Sequence, residues 1–169
     1  MSIRYVIAAG FLLLAAVLQV SVFSRIAVGG AAPQLVLLSV VAWSLVRGPM
    51  EGIFWGFTGG LFYDLASGGP VGVSALSLVA VAAVAGILGL RLFGSNPLLP
   101  LLAVFAASMV YFIIDGFLLA TLHYPTDWHA VLADVAIPTG IANGALGLLV
   151  YPLFAFIAIH TQRQARVEV

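Results

Sequence analysis

Two aspartates stand inside otherwise apolar runs, Asp64 in GLFYDLAS and Asp115 in YFIIDGFL. A carboxyl group in hydrocarbon is costly without a partner or water. Each therefore predicts hydration at a helix end, a hydrogen bond to a neighbouring helix, a contact with a partner or ligand, or a place in a proton relay. The relay ranks last, because neither run offers a basic residue to alternate with the acid. A second set, His123, Asp127, His129 and Asp134, crowds into one short polar stretch, with His123 and Asp127 four residues apart. Such groups could hold zinc or exchange protons. The tight constellations that do so, such as H-E-x-x-H, are missing, and hydrated loop side chains account for the set. There is no G-x-S-x-G elbow and no phosphate loop, and without cysteine there is no thiolate nucleophile and no cysteine-rich metal site. The residues predict no enzyme, no cofactor and no metal centre.

Asp64 also ends a pattern. Gly52, Gly56, Gly60 and Asp64 recur every fourth residue within Gly48–Val73, so on a helix they share one narrow stripe. Glycines in a membrane helix let another backbone approach closely. The stripe reads as a docking face, either for the chain's own helices or for a partner helix with Asp64 accepting a hydrogen bond at one end. Gly68, Gly69 and Pro70 then stop the helix.

The elements that must position these residues follow from composition. Hydrophobic residues make up 63% of the 169, charged residues 7%, and the mean hydropathy is +1.21. A soluble domain carries about 25% charged residues, so this composition defines an integral membrane protein. Spans of about 20 residues use nearly the whole chain and predict one all-α transmembrane bundle without a soluble domain. Zero net charge and the lack of a basic run give no footprint for nucleic acid.

Six spans are predicted, at about 5–23, 34–46, 50–66, 73–93, 98–122 and 135–159. The first is longer than the apolar core of a signal peptide, about 7–15 residues, and reads as a span. Gln19 is its one strongly polar side chain. After a Gly29–Gly30 connection, Pro33 suits the first turn of the second span, which must be short or begin earlier and kink at Pro33. Pro49 and Glu51 suit the start of the third, and Asn96–Pro97 makes the turn before the fifth. His123 to Asp134 reads as a polar loop, with Tyr124 and Trp128 suited to the membrane interface. In the sixth span Gly140 and Gly144 form a small-residue face beside Asn143, and Pro152 predicts a bend. With both termini cytoplasmic, Arg4, Arg47, Arg91, Arg163 and Arg166 lie inside and Arg25 alone outside, which satisfies the positive-inside rule. Asp64 and Asp115 then fall in the outer halves of their spans.

The run Gly56-Phe57-x-x-Gly60-x-x-x-Asp64-Leu65-x-Ser67-Gly68-x-x-x-Gly72-Val73 resembles the signature of the rod shape-determining protein MreD family. Gln19, Pro33, Asp115, Asn143-Gly144-x-Leu146 and Pro152 fall in the family's order, so the resemblance covers nearly the whole chain. It implies a non-enzymatic multi-pass subunit of the bacterial elongation machinery in the cytoplasmic membrane. The implied partner is MreC, a single-span protein with a periplasmic domain. Through MreC the chain would be linked to the actin-like MreB filament and to RodA with its class B penicillin-binding protein, which polymerise peptidoglycan. The implied fold is similar to that of substrate-binding subunits of energy-coupling factor transporters.

That fold raises an alternative function, a vitamin-type binding subunit of such a transporter. Its mark would be an alanine pair spaced by three in the first span, where this chain has Ala8, Ala9, Ala15 and Ala16, none four apart. Asp64, Asp115, Asn143 and the outer loop are the sparse candidates for its pocket. A proton-coupled carrier is disfavoured by the lack of an inverted repeat with broken helices.

Overall fold

The computed structural model describes residues 3–25, 32–92 and 98–165. The predicted Gly29–Gly30 connection, the Asn96–Pro97 turn and Arg166 lie outside them. The described chain is all helical and has six α-helices: α1 (Ile3–Ser21), α2 (Leu35–Arg47), α3 (Pro49–Ser67), α4 (Val73–Leu92), α5 (Leu98–Thr121) and α6 (Ile137–Ala165). A 3-10 turn, Phe23–Arg25, follows α1, and a π-helical segment, Ala130–Ala136, leads into α6.

The bundle is arranged around its shortest α-helix. α2 has 13 residues, and Val36 through Leu45 are buried on every side. A helix that is apolar all round belongs inside a core, and each of the other five helices packs against it. At about 1.5 Å per residue α2 covers only about 20 Å, too short to bring both its ends to water across a hydrocarbon layer of about 30 Å. Its terminal amides must therefore find partners within the protein.

The chain reverses direction from helix to helix, so two ends of the bundle can be distinguished. The Asp64 end holds the α3–α4 turn, the start of α2 and the approach to α6. The opposite end holds the tight α2–α3 turn at Arg47–Pro49, where Gly48 has φ +87° and Pro49 opens α3. At this Arg47 end, Trp43 and Trp55 stack with centroids 4.6 Å apart, and Phe154 and Phe11 close around them. The Trp43 indole N–H and the Arg47 Nε both donate to Glu51 Oε2, at 3.0 and 3.1 Å. The ion pair ties the two sides of the turn together.

By length and hydropathy, Leu99–Thr121 and Ala130–Ala158 are each able to cross a membrane, while Tyr5–Ser21, Leu35–Arg47 and Val73–Gly89 are shorter apolar helices. The sequence expectation departs from the structure most at the last helix. Residues 123–134 are not one loop, because helical structure starts at Trp128 and includes Asp134. Asp127 is the reason: its Oδ1 accepts from the amides of His129 at 2.9 Å and Ala130 at 3.3 Å, the pairing that opens a helix. α6 then continues through Pro152 to Ala165.

Candidate functional site

The glycine stripe and Asp64 lie on α3, and the structure fills the space beside them from within the chain. A Cβ on Gly60 would overlap the backbone of Ala75, and one on Gly56 would lie 2.8 Å from the Leu78 carbonyl oxygen. Both residues therefore hold α4 against α3 at backbone distance. Gly52 meets the Ser44 side chain on α2 in the same way. The stripe is thus taken up by α2 and α4 and is not an open face for a partner. Spacing predicts which residues share a face, and here the chain's own neighbouring helices cover it.

Asp64 completes this α3–α4 hairpin. Only 2% exposed, it turns both carboxyl oxygens to the first turn of α4. Oδ2 accepts from the amides of Gly72 at 2.8 Å and Ala75 at 3.3 Å, and Oδ1 from that of Ser74 at 3.1 Å. The first amides of any helix lack intrahelical partners and are usually met by a local Ser, Thr, Asp or Asn at the N-cap. Gly72 precedes α4 with φ +102°, a conformation that favours glycine, and so it has no side chain to offer. The acid eight residues upstream serves as the cap instead. Gly68, at φ +73°, ends α3 in the left-handed conformation with its amide on the Asp64 carbonyl. Gly60, Asp64, Gly68 and Gly72 thus each perform a separate step in one turn.

A second cap works in a similar way on α2. Gln19 Oε1 from α1 accepts from the Val36 amide at 3.0 Å, and Asn143 Oδ1 from α6 accepts from the Gln34 amide at 2.9 Å. The Asn143 amide group donates in turn to Ser108 Oγ on α5 at 3.1 Å. One buried helix start therefore draws side chains from α1, α5 and α6. This is how a half-length helix begins inside the protein without orphaned amides.

The remaining expected residues are placed as follows. Asp115 lies on α5 near the hydroxyls of Tyr111, Ser74 and Ser77. Its Oδ1 is fully shut off from solvent and has no hydrogen-bond partner among the described residues. Gly140 packs against Phe105 and Met109, and Gly144 against Leu101 and Phe105, so both join α6 to α5. Pro152 lies within α6 on the half toward the Arg47 end. His123 takes a positive φ of 64°, and the amide of the next residue, Tyr124, bonds back to the Leu119 carbonyl, which closes α5. Sequence reasoning missed the Arg47–Glu51–Trp43 cluster, although the four-residue spacing of Arg47 and Glu51 was a signal. It also missed Asp127 as a cap, which an acid just ahead of a long apolar run could have indicated.

The fold and this site define a class: an all-helical membrane bundle in which side chains from neighbouring helices cap helix starts inside the protein. The chain belongs to the MreD family, since the family model described as rod shape-determining protein MreD matches residues 1–159. It is accordingly a rod shape-determining membrane protein of the bacterial cell envelope. Comparison with curated proteins and with solved structures gives no match.

Proposed function

We propose that this chain is a non-enzymatic six-span subunit of the cytoplasmic membrane, both termini inside, that holds an MreC-like single-span partner. Through that partner it helps organise lateral peptidoglycan synthesis by the MreB, RodA and penicillin-binding protein assembly. The observation that carries the reading is the family match along nearly the whole chain, joined to a signature that builds a rigid hairpin rather than a reactive centre. A protein with so little mass outside its helices acts through helix faces and short turns.

Because the glycine stripe is occupied, the partner face must lie elsewhere. α1 and α6 both pack against α2, but their own backbones do not approach each other. The hollow between them, about 220 Å³, is lined by Phe11, Leu14 and Leu18 of α1, Leu38 and Ser39 of α2, and Leu153 of α6, and is apolar apart from Ser39. Such a hollow suits the side of an apolar single-span helix, and we assign the MreC-like span to it. Photocrosslinking amino acids at Leu14 and Leu153 are expected to capture the MreC-like protein in cells, and the same probe at Val84 on α4 is not. Capture from Val84 alone would move the interface, and no capture at any lipid-facing position would remove MreC as a direct partner.

A further inference from the structure

At the Asp64 end a cavity of about 250 Å³ opens among Gln19, Gln34, Tyr63, Ser67, Phe112 and Thr139, with Val135 on its wall. The lining draws on α1, α3, α5, α6, the π-helical segment and the residue before α2. Thr139 is the informative member. It is 1% exposed, yet its hydroxyl makes no hydrogen bond among the described residues. Elsewhere in this bundle a helical serine donates to the carbonyl four residues back: Ser39 to Leu35, Ser44 to Val40, Ser77 to Val73 and Ser108 to Val104. The corresponding residue for Thr139 is Val135, which lies in the π-helical segment and itself lines the cavity. Single π-helical interruptions are frequent at functional sites, because they shift the backbone and free its groups. Here the interruption coincides with a cavity-lining residue whose hydroxyl does not bond back to its own helix.

The lining also selects among ligands. It contains no Asp, Glu, Arg or His, so a charged molecule would lose its hydration without a counter-charge. A purely apolar molecule would strand the Thr139 hydroxyl. Hydroxyls and carboxamides both donate and accept, which matches a ligand built from hydroxyl groups, and Tyr63 and Phe112 provide aromatic walls for its apolar side. The volume is below the roughly 300–1,000 Å³ of pockets for drug-sized molecules and suits a single ring. We propose that this cavity binds a small neutral polyol the size of one sugar ring, held by the Thr139 hydroxyl and the Gln34 carboxamide. The ring arrives either free or as the headgroup of a neutral glycolipid.

The chain has no cysteine, so one introduced thiol reports on the cavity alone. Val135→Cys is alkylated with N-ethylmaleimide, in a detergent without sugar for the free ligand and in proteoliposomes for the lipid. Methyl β-glucoside in detergent, or monoglucosyl diacylglycerol in the bilayer, is expected to slow alkylation saturably. Glucose 6-phosphate is not. Protection by the glycoside identifies a free ligand, and protection by the glycolipid alone identifies a headgroup. Adding Thr139→Val is expected to raise the half-protecting concentration about fivefold, the worth of a hydrogen bond of about 1 kcal/mol. Lack of protection by both polyols, equal protection by the phosphate, or no change with Thr139→Val overturns the proposal. If Val135→Cys does not fold, Ala32→Cys on the same lining is read by the same criteria.

Discussion

Asp64 holds three amides at the start of a helix to which it does not belong, so its replacement reads out directly on stability. Asp64→Ala leaves the amides of Gly72, Ser74 and Ala75 without their acceptor, and each buried donor left unpaired costs about 1–3 kcal/mol. Partial hydration at Gly72 reduces the sum, and an overall loss of about 2–4 kcal/mol is expected. Asp64→Asn keeps one accepting oxygen and should lose less. Thermal unfolding of the detergent-solubilised protein checks the order, and an Asp64→Ala variant melting with the parent would end the cap assignment. His123 offers the opposite sign. A left-handed residue costs a side-chain-bearing L-amino acid about 1 kcal/mol, and glycine escapes that cost. His123→Gly should therefore raise the unfolding temperature, which the same assay measures.

For the helices, what matters is whether a small residue faces a neighbour or lipid. Gly60 and Gly10 are both glycines within helices, yet a Cβ on Gly60 overlaps the Ala75 backbone, while one on Gly10 meets nothing within 4 Å. Gly60→Ala should force α3 and α4 apart and lower stability by about 1–3 kcal/mol, as overpacking does. Gly10→Ala should be neutral or gain up to about 1 kcal/mol from helix propensity. The start of α2 makes a second helix-level case. Gln19 and Asn143 cap neighbouring amides of one helix from two other helices. Gln19→Leu and Asn143→Leu should each destabilise, and the double variant should depart from additivity, because the first loss already loosens the end that the second cap holds. Strict additivity would mean that the two contacts act independently.

At the level of the whole molecule, the two ends differ in what they expose. Tyr124 stands out at the Asp64 end, and Met50, 82% exposed, at the Arg47 end. On the proposed topology, with both termini inside, Tyr124→Cys should react with a membrane-impermeant maleimide in intact cells and Met50→Cys only after the membrane is opened. The reverse pattern would invert the topology and place the cavity inside the cell. The arginine distribution predicts the first outcome. The proposed role as a partner-holding subunit would be served by a bundle whose interior is tied by caps from several helices, since such a role needs faces that stay fixed.

The sequence by itself determined the membrane class, through composition, and the short second helix, through the apolar run between Pro33 and Arg47. It also determined the family, through the ordered residues from Gly56 to Val73. Glycine spacing announced a close approach, and a carboxyl group in an apolar run announced an obligatory partner. Only the tertiary structure decided what approached and which donors the carboxyl met. A four-residue repeat defines a face of one helix but says nothing of what lies across it, and the amides that Asp64, Gln19 and Asn143 accept from become neighbours only when the helices pack. The opening of the last helix at Asp127, the π-helical segment and the unpartnered Thr139 hydroxyl were hidden for a related reason. They arise where backbone geometry departs from the regular period on which sequence reading depends.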